Sequence, residues 1–219
     1  MRRLDDIDQA IRAAGFSSRG FVALEPREIA GLASVVLVGM VGMRNWGAFA
    51  ASPEYADGLA DPLDRWSERV LGGLARALDA TALYPFRGPP YAPFQRWALR
   101  AEPVAPSPLG LLIHPEYGLW HSYRGALGFA VALEAAPFEA QPSPCASCAE
   151  RPCLSACPVG AYDGRTFEVE TCAAHVRSAA GVSCRDDGCR ARRACPVGQE
   201  HAQTPEAAAF HMRAFLASR

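Results

Sequence analysis

The stretch CASCAERPCLSACPVGAY, from Cys145 to Tyr162, decides how this chain is interpreted. It contains four cysteines, whereas the 144 residues before it contain none, and four more follow at positions 172, 184, 189 and 195. The tetrapeptide CPVG occurs twice, at Cys157 and again at Cys195. A motif repeated within one cysteine-rich region indicates two sites of the same kind.

The cysteine spacings are C-x2-C-x4-C-x3-C-P in the first group and C-x11-C-x4-C-x5-C-P in the second. A cubane iron–sulfur cluster needs four thiolates, and in two-cluster ferredoxins the cysteine of each Cys-Pro pair ligates the other cluster. This rule predicts a first set of ligands for one [4Fe-4S] cluster: Cys145, Cys148, Cys153 and Cys195. The second set, for the other cluster, contains Cys157, Cys172, Cys184 and Cys189.

The gaps between the cysteines depart from the ferredoxin pattern C-x2-C-x2-C-x3-C-P, so other uses of the thiols stay open. Structural zinc also accepts C-x2-C with later thiolates. A disulfide scaffold would require export. One cluster with spare thiols is a further alternative.

Composition excludes several classes of function. The 219 residues carry a formal net charge of −1, with a sequence pI near 6.5, which gives no basis for binding nucleic acid or an anionic membrane. The sequence has no lysine, which excludes a P-loop or Schiff-base lysine. The N-terminus lacks the apolar run of a signal peptide, so we expect a cytoplasmic protein without a membrane segment.

Helical and strand patterns in the rest of the chain predict an α/β (α+β) fold. Helices are expected at the N-terminus, over 62–80 with Asp61 as N-cap, around FQRWALR, and after the N-cap Thr204. Strands are expected over 20–25, 33–43 and 126–134. We therefore predict an α/β domain over 1–138, a two-cluster domain over 139–203, and a C-terminal helix over 204–219 that packs on the body.

The order of parts in the last 75 residues resembles the ferredoxin-type dicluster module of epoxyqueuosine reductases and reductive dehalogenases. The matching parts are CASCAERPCLSACPVGA, Cys172 after FEVET, and GCRARRACPVG. The resemblance implies that the preceding domain has a nitroreductase-like fold and holds a cobalamin. The stretch HPEYGLWHSYRGAL is similar to one in a vertebrate cobalamin-processing protein, but the chain lacks a DTGP-like or GLGWIGK segment.

If the N-terminal domain holds a corrinoid or a flavin, its polar candidates lie in one predicted loop between strands, where ligands commonly bind. A histidine there could ligate cobalt or donate a proton, and an arginine could hold a phosphate. These candidates are His114, Tyr117, His121, Tyr123 and Arg124.

Arginines crowd the second cysteine motif, at positions 177, 185, 190, 192 and 193. They could raise the potential of the neighbouring cluster or dock an acidic electron donor, and a solvated basic face is the simpler interpretation.

Three hypotheses of function follow. In the first, the protein is a corrinoid-linked reductase that receives single electrons from a flavodoxin-like or ferredoxin-reductase-like donor. In the second, it is an electron carrier that docks a partner reductase and has no catalysis of its own. In the third, zinc stabilises an interaction module.

Overall fold

The computed structural model describes residues 4–134, 139 and 141–219. It has a mixed α+β fold, as the sequence predicts, and divides into two compact units. The sheet unit contains Met1–Pro103 and Ser122–Ala140, and the cysteine unit contains Val104–His121 and Gln141–Arg219. Among the described residues, no helix combines the length and the apolar character needed to span a bilayer.

The sheet unit is built on a four-stranded sheet with the order β1-β2-β6-β3. Its strands are β1 (Ser17–Ala23), β2 (Ser34–Val41), β3 (Thr81–Leu83) and β6 (His121–Phe129), whose first residue belongs to the cysteine unit. Its helices are α1 (Leu4–Ala13), α2 (Trp46–Ala50), α3 (Pro53–Ala56), α4 (Pro62–Ala77) and α5 (Phe94–Ala101). The β1–β2 and β3–β6 pairs are antiparallel.

Every residue of β2 is buried, as its unbroken apolar run predicts for a central strand. Helix α5 packs against β1 and β2, and α1 packs against β1. Rings fill the remaining core, where Phe16 stacks on Trp66 with 4.3 Å between ring centroids. The core of this unit is therefore apolar and aromatic, as the composition suggests.

A charged group lies inside this unit where the sequence indicates only a strand. Arg19 on β1 is 1% exposed and donates from Nη2 to Glu102 Oε1 at 3.0 Å. Tyr123 on β6 donates its hydroxyl to the same carboxylate. Burial raises the pKa of Glu102, whereas Arg19 and Tyr123 act to lower it. The carboxylate and the guanidinium thus compensate each other's desolvation.

The cysteine unit consists of short elements. Its strands β4 (Ala105–Pro106) and β5 (Leu112–Ile113) form an antiparallel pair. Its helices are α6 (Pro152–Ser155), α7 (Val169–Arg177), α8 (Val182–Asp186), α9 (Arg190–Arg193) and α10 (Pro205–Ala217), with 3-10 turns at Pro144–Ala146, Ala179–Gly181 and Gln199–His201. Helix α10 packs on α8, and α6 packs on α9.

Two helix caps had different outcomes. The Thr204 hydroxyl accepts the backbone N–H of Ala207 at 3.4 Å, so it caps α10 as predicted. Asp61 precedes α4 in a left-handed conformation with φ 51°, and its side chain makes no capping hydrogen bond. Asp61 therefore occupies the N-cap position as predicted, and its carbonyl accepts the first helical N–H, but its carboxylate does not cap the helix because the backbone is not extended there.

Two predicted segments shift in the structure. The strand expected over 126–134 runs over His121–Phe129, so it begins with the polar residues that were expected to form a loop. Segment 104–121, expected in the N-terminal domain, lies in the cysteine unit. The predicted boundary between 138 and 139 falls beside residues 135–138 and 140, which lie outside the described residues.

Candidate metal centre

The first set of cysteines comes from one short stretch and one distant residue. Cys145 lies in the 3-10 turn Pro144–Ala146, Cys153 lies on α6, and Cys195 follows α9. Burial raises the pKa of Cys153, and the neighbouring thiols of Cys195, Cys145 and Cys148 raise it further. The thiols of the other three cysteines therefore lie close enough to Cys153 to disfavour its thiolate form.

An apolar cluster contains two cysteines of the first set, and Cys157 and Cys189 of the second set also pack against it. Leu109, Ile113 and Leu119, all from segment 104–121, are buried with Cys153 and Cys195. This packing keeps water from one side of the thiols, which strengthens every charge interaction between them. It also explains why segment 104–121 belongs to the cysteine unit.

The second set of cysteines lines one cavity. Its walls include all four members of the set: Cys157, Cys172, Cys184 and Cys189. Tyr162, His175 and Met212 complete part of the lining. Cys172 lies on α7, Cys184 lies on α8 and Cys189 precedes α9, so separate helices bring the thiols together.

The pKa values of Cys172 and Cys189 in the second set reflect burial and the close grouping of the thiols. Burial raises the pKa of Cys172 to about 11, with further contributions from the thiols of Cys189, Cys157 and Cys184. Burial also raises the pKa of Cys189, although the backbone N–H groups of Arg192 and Ala191 act in the opposite direction. Burial therefore disfavours the thiolate form of these two cysteines, and the positive charge of bound irons would offset this effect.

A hydrogen-bond donor points at sulfur in the second set. The backbone N–H of Ala161 donates to Cys157 Sγ at 3.3 Å. Tyr162 lines the same cavity as Cys189, and burial, together with the neighbouring Cys189, Cys172 and Cys157, raises the pKa of Tyr162 well above its ordinary value. N–H groups aimed at thiolates are typical of iron–sulfur sites.

The thiols of each set are neighbours without converging on a single ion. In the described part of the chain, no three His, Cys, Asp or Glu side chains lie close enough together to ligate one metal ion. A tetrahedral zinc site with Zn–S bonds of about 2.3 Å requires sulfurs about 3.8 Å apart. A four-iron cluster accepts more widely spaced thiolates, because each thiolate binds a different iron. All eight cysteines are free.

The donor set of four thiols fits a [4Fe-4S] cluster at the second set, and the grouping of thiols is compatible with one at the first. The assignment of each cysteine as a ligand stays a prediction. What the structure adds is that each predicted set forms a spatial group, as the sequence rule requires.

The five residues predicted for a corrinoid or flavin fall in two units. His114, Tyr117 and His121 lie in the cysteine unit, whereas Tyr123 and Arg124 lie in the sheet unit. In the sheet unit, Arg124 donates to Asp64 and to the Ser67 hydroxyl. Because β6 begins at His121, three of the five residues lie on a strand, so their placement in one loop of the N-terminal domain is wrong. Their role in binding a cofactor stays a prediction.

The three residues in the cysteine unit make local contacts. His114 is 7% exposed, and its Nδ1 accepts the N–H groups of Glu116 and Tyr117 at 3.1 and 3.2 Å. The ring of Tyr117 stacks on His114 and meets His201 edge-on. His121 Nε2 lies 3.0 Å from the carbonyl of Leu112. These side chains hold the turn between β5 and β6.

Burial separates the five arginines near the second motif. Arg177, Arg190 and Arg193 are exposed, as the interpretation of a solvated face expects. Arg192 instead donates from Nη2 to the carbonyl of Leu119 at 2.6 Å, and its guanidinium lies 4.5 Å from the centre of the Trp120 ring. The sequence pattern could not distinguish Arg192 from the exposed arginines beside it, because the four residues of α9 are too few to show a helical repeat of buried positions.

Comparison with known proteins gives structural neighbours only. No protein-family model matches the chain, and no curated protein matches it. An epoxyqueuosine reductase from Streptococcus thermophilus is similar, with a TM-score of 0.54 and 16% identity over 91% of this chain and 67% of that chain. A second epoxyqueuosine reductase, bound to a modified tRNA-Tyr stem loop, has a TM-score of 0.50 and 16% identity over 94% of this chain and 70% of that chain.

Both neighbours are epoxyqueuosine reductases, one of the two families that the cysteine region resembles. At 16% identity the likeness establishes a shared fold, and it covers the chain well beyond its cysteines. Function has to be argued from the site itself.

Proposed function

We propose that this protein is an iron–sulfur redox protein whose two cysteine sets hold one [4Fe-4S] cluster each. The observation that carries the proposal is the cavity lined by Cys157, Cys172, Cys184 and Cys189, four thiols from separate elements. A bound cluster of this kind supplies single-electron transfer. The fold shared with epoxyqueuosine reductases, which are oxidoreductases, supports a redox role.

The chain's own residues would prepare the sites in three ways. The thiols supply the ligands, the N–H of Ala161 orients the Cys157 sulfur, and Tyr162 forms part of the wall of the second site. Leu109, Ile113 and Leu119 exclude water beside the first set. A dry, preorganised site lowers the reorganisation that accompanies a change of charge.

Two more specific proposals, an enzyme and an electron carrier, differ in the electron acceptor. In the enzyme proposal it is a substrate or a corrinoid bound by the sheet unit. The five residues predicted to bind the corrinoid fall in two units, and their role stays a prediction. In the carrier proposal the acceptor is a partner reductase, and an acidic flavodoxin-like donor would meet the exposed arginines 177, 190 and 193.

One structural neighbour gives a reason to consider nucleic acid as a partner. That epoxyqueuosine reductase is bound to a tRNA stem loop, which weighs against the expectation, drawn from net charge alone, that nucleic acid is not a partner. A net charge of −1 does not prevent a local basic patch from contacting phosphates. A tRNA stem loop is therefore a substrate to test beside cobalamin.

Metal analysis tests the central proposal. Protein purified without oxygen should contain about eight irons and about eight acid-labile sulfides per chain, the content of two four-iron clusters. Reduction with dithionite should give the electron paramagnetic resonance signals of reduced clusters. Stoichiometric zinc without iron would contradict the proposal and favour the zinc-stabilised module.

Binding experiments then separate the enzyme from the carrier. The anaerobic protein is titrated with cobalamin while the visible spectrum of the corrinoid is recorded, and in parallel with a labelled tRNA stem loop. A spectral change or saturable tRNA binding supports the enzyme proposal. Neither response at high excess, with clusters intact, favours the carrier.

A further inference from the structure

The two CPVG motifs differ in what surrounds their glycines. Gly160 and Gly198 both have a left-handed backbone, with φ of +59° and +69°. In the described part of the chain, apart from its own neighbours, no atom lies within 4 Å of a Cβ added at Gly160. A Cβ added at Gly198 would lie 2.5 Å from the carbonyl carbon of Tyr117. The second motif therefore packs against another backbone at a distance that only glycine permits.

The backbone that approaches Gly198 belongs to the turn between β5 and β6. In this turn, His114 and Gly118 each donate a backbone N–H to the carbonyl of the other at 2.9 Å. Gly118 makes the reciprocal approach, since a Cβ added there would lie 2.0 Å from the carbonyl oxygen of Val197. One glycine on each side thus lets the turn and the second CPVG pack without a side chain between them.

Arg192, from the same cysteine motif as Gly198, holds the end of this turn. Its Nε and Nη2 donate to the carbonyl of Leu119 at 3.1 and 2.6 Å. Its guanidinium lies 4.5 Å from the centre of the Trp120 ring, and Nη1 donates to Gln203 Oε1 at 3.3 Å. Two hydrogen bonds from one planar group, together with a stacking contact, fix the segment more firmly than a single bond would.

The segment that is held in this way forms a wall of the first set. Leu119 and Ile113, on the two sides of the turn, are 3% and 1% exposed and share an apolar cluster with Cys153 and Cys195. Two cysteines of the second set also pack against this cluster. Among the described residues, however, the turn and its flanking strands contribute nothing to the lining of the second set's cavity. Opening of the segment therefore exposes the first set before the second.

Resting on the function proposed above, we propose that Arg192 and Gly198 form a clasp that holds segment 104–121 against the first set and keeps its cluster dry. Both are positioning residues, because they act through the backbone of the turn and through Leu119. Water stabilises the additional negative charge of a reduced cluster. The closed clasp therefore lowers the reduction potential of the first cluster and slows its loss.

The main test compares the two CPVG glycines in the anaerobic, cluster-loaded protein. Gly198→Ala places a methyl group against the turn, whereas Gly160→Ala carries similar left-handed strain without a close contact. The protein is treated with an iron chelator, freed thiols are alkylated with iodoacetamide, and each cysteine is followed by peptide mass spectrometry. We expect Gly198→Ala to expose the first-set thiols about tenfold faster than the wild type, with the second set unchanged. Gly160→Ala should leave the first set at the wild-type rate.

The guanidinium half of the clasp has its own matched pair. Arg192→Gln removes the paired hydrogen bonds to Leu119 and should also speed exposure of the first set. Arg193→Gln removes the same charge from an exposed position of the same helix and should leave both sets at the wild-type rate.

Reduction potentials give a readout that general destabilisation does not produce. Gly198→Ala changes no charge, so potentiometric titration followed by electron paramagnetic resonance should show one potential raised and the other unchanged. We expect an about tenfold change in the ratio of reduced to oxidised cluster at a fixed potential, which corresponds to about 59 mV for one electron. A lowered or unchanged potential would contradict a dry first cluster.

The outcomes distinguish this inference from the proposed function. If the wild-type protein binds no iron, the proposed function fails. If iron is complete but Gly198→Ala exposes both sets together, or the second set first, or neither faster than the wild type, the clasp fails and the proposed function stands. If Gly198→Ala does not fold, Arg192→Gln with its control Arg193→Gln decides by the same criteria.

Discussion

The two cysteine sets are assembled in different ways, although both end in CPVG. Three cysteines of the first set lie within nine residues, 145–153, and only Cys195 is distant. In the second set, Cys172 and Cys184 lie on separate helices, and α10 packs on the helix that carries Cys184. The first set therefore depends mainly on local chain geometry, and the second depends on helix packing.

The loss of a buried ligand should have the largest effect on either set. Cys153→Ser removes a ligand of the first set and Cys184→Ser one of the second, and each side chain is less than 10% exposed. Each variant should retain about half of the iron, because the other set keeps its cluster. The measurement is the iron and sulfide content after anaerobic purification.

Ser147→Ala is the control for these ligand variants. It alters an exposed hydroxyl between Cys145 and Cys148 and should keep all the iron. If either cysteine variant loses both clusters while remaining folded, the two sets are not independent sites.

A glycine should distinguish the first set from the second. Gly118 has φ +55°, and a Cβ there would lie 2.0 Å from the carbonyl oxygen of Val197, in the turn after Cys195. Gly118→Ala should therefore destabilise the protein by about 1–3 kcal/mol more than strain of the backbone alone, through overpacking. Thermal unfolding of the loaded protein and its iron content are the measurements.

Gly110→Ala is the matched control for the glycine variant. Gly110 has φ +74° but no atom within 4 Å of an added Cβ, so it carries the same left-handed strain without the clash. We expect Gly118→Ala to lose iron from the first set before the second. Equal melting temperatures for the two alanine variants would show that the turn after Cys195 is not tightly packed.

A helix cap should have the smallest effect, and on the second set. Thr204→Ala removes the cap of α10 and should cost about 1 kcal/mol, as N-cap substitutions do. Because α10 packs on α8, we expect faster loss of iron from the second set to a chelator. Thr204→Ser keeps the hydroxyl and should behave as the wild type. An unchanged rate in Thr204→Ala would mean that α10 does not support the site.

Much of the fold could be predicted because its signals are local. The buried strand β2, and the helices α4, α5 and α10, follow from apolar runs, helical spacing and proline at the first turn. The grouping of thiols could be anticipated because the repeated CPVG sets the register of both sets. The rule that each Cys-Pro cysteine ligates the other cluster then assigns all eight cysteines to two sets of four.

The rest depends on contacts between residues that are distant in sequence. Leu109 and Leu119 pack with Cys153 and Cys195, which no local period reveals, so segment 104–121 was expected in the other domain. Arg19 looks like an exposed strand residue until Glu102 is found beside it. Tyr162 could have been suspected from its place soon after the first CPVG, in contrast to Arg192, whose neighbouring arginines are exposed.

The central claim is that Cys157, although it ends the first motif, belongs to the second set. The direct measurement is a map of thiol protection in Cys157→Ser, purified without oxygen, alkylated with iodoacetamide and analysed by peptide mass spectrometry. We predict that Cys172, Cys184 and Cys189 become reactive while Cys145, Cys148, Cys153 and Cys195 stay protected by their cluster. Alkylation of Cys145, Cys148 and Cys153, with the other thiols protected, would contradict the exchange of ligands between the two motifs.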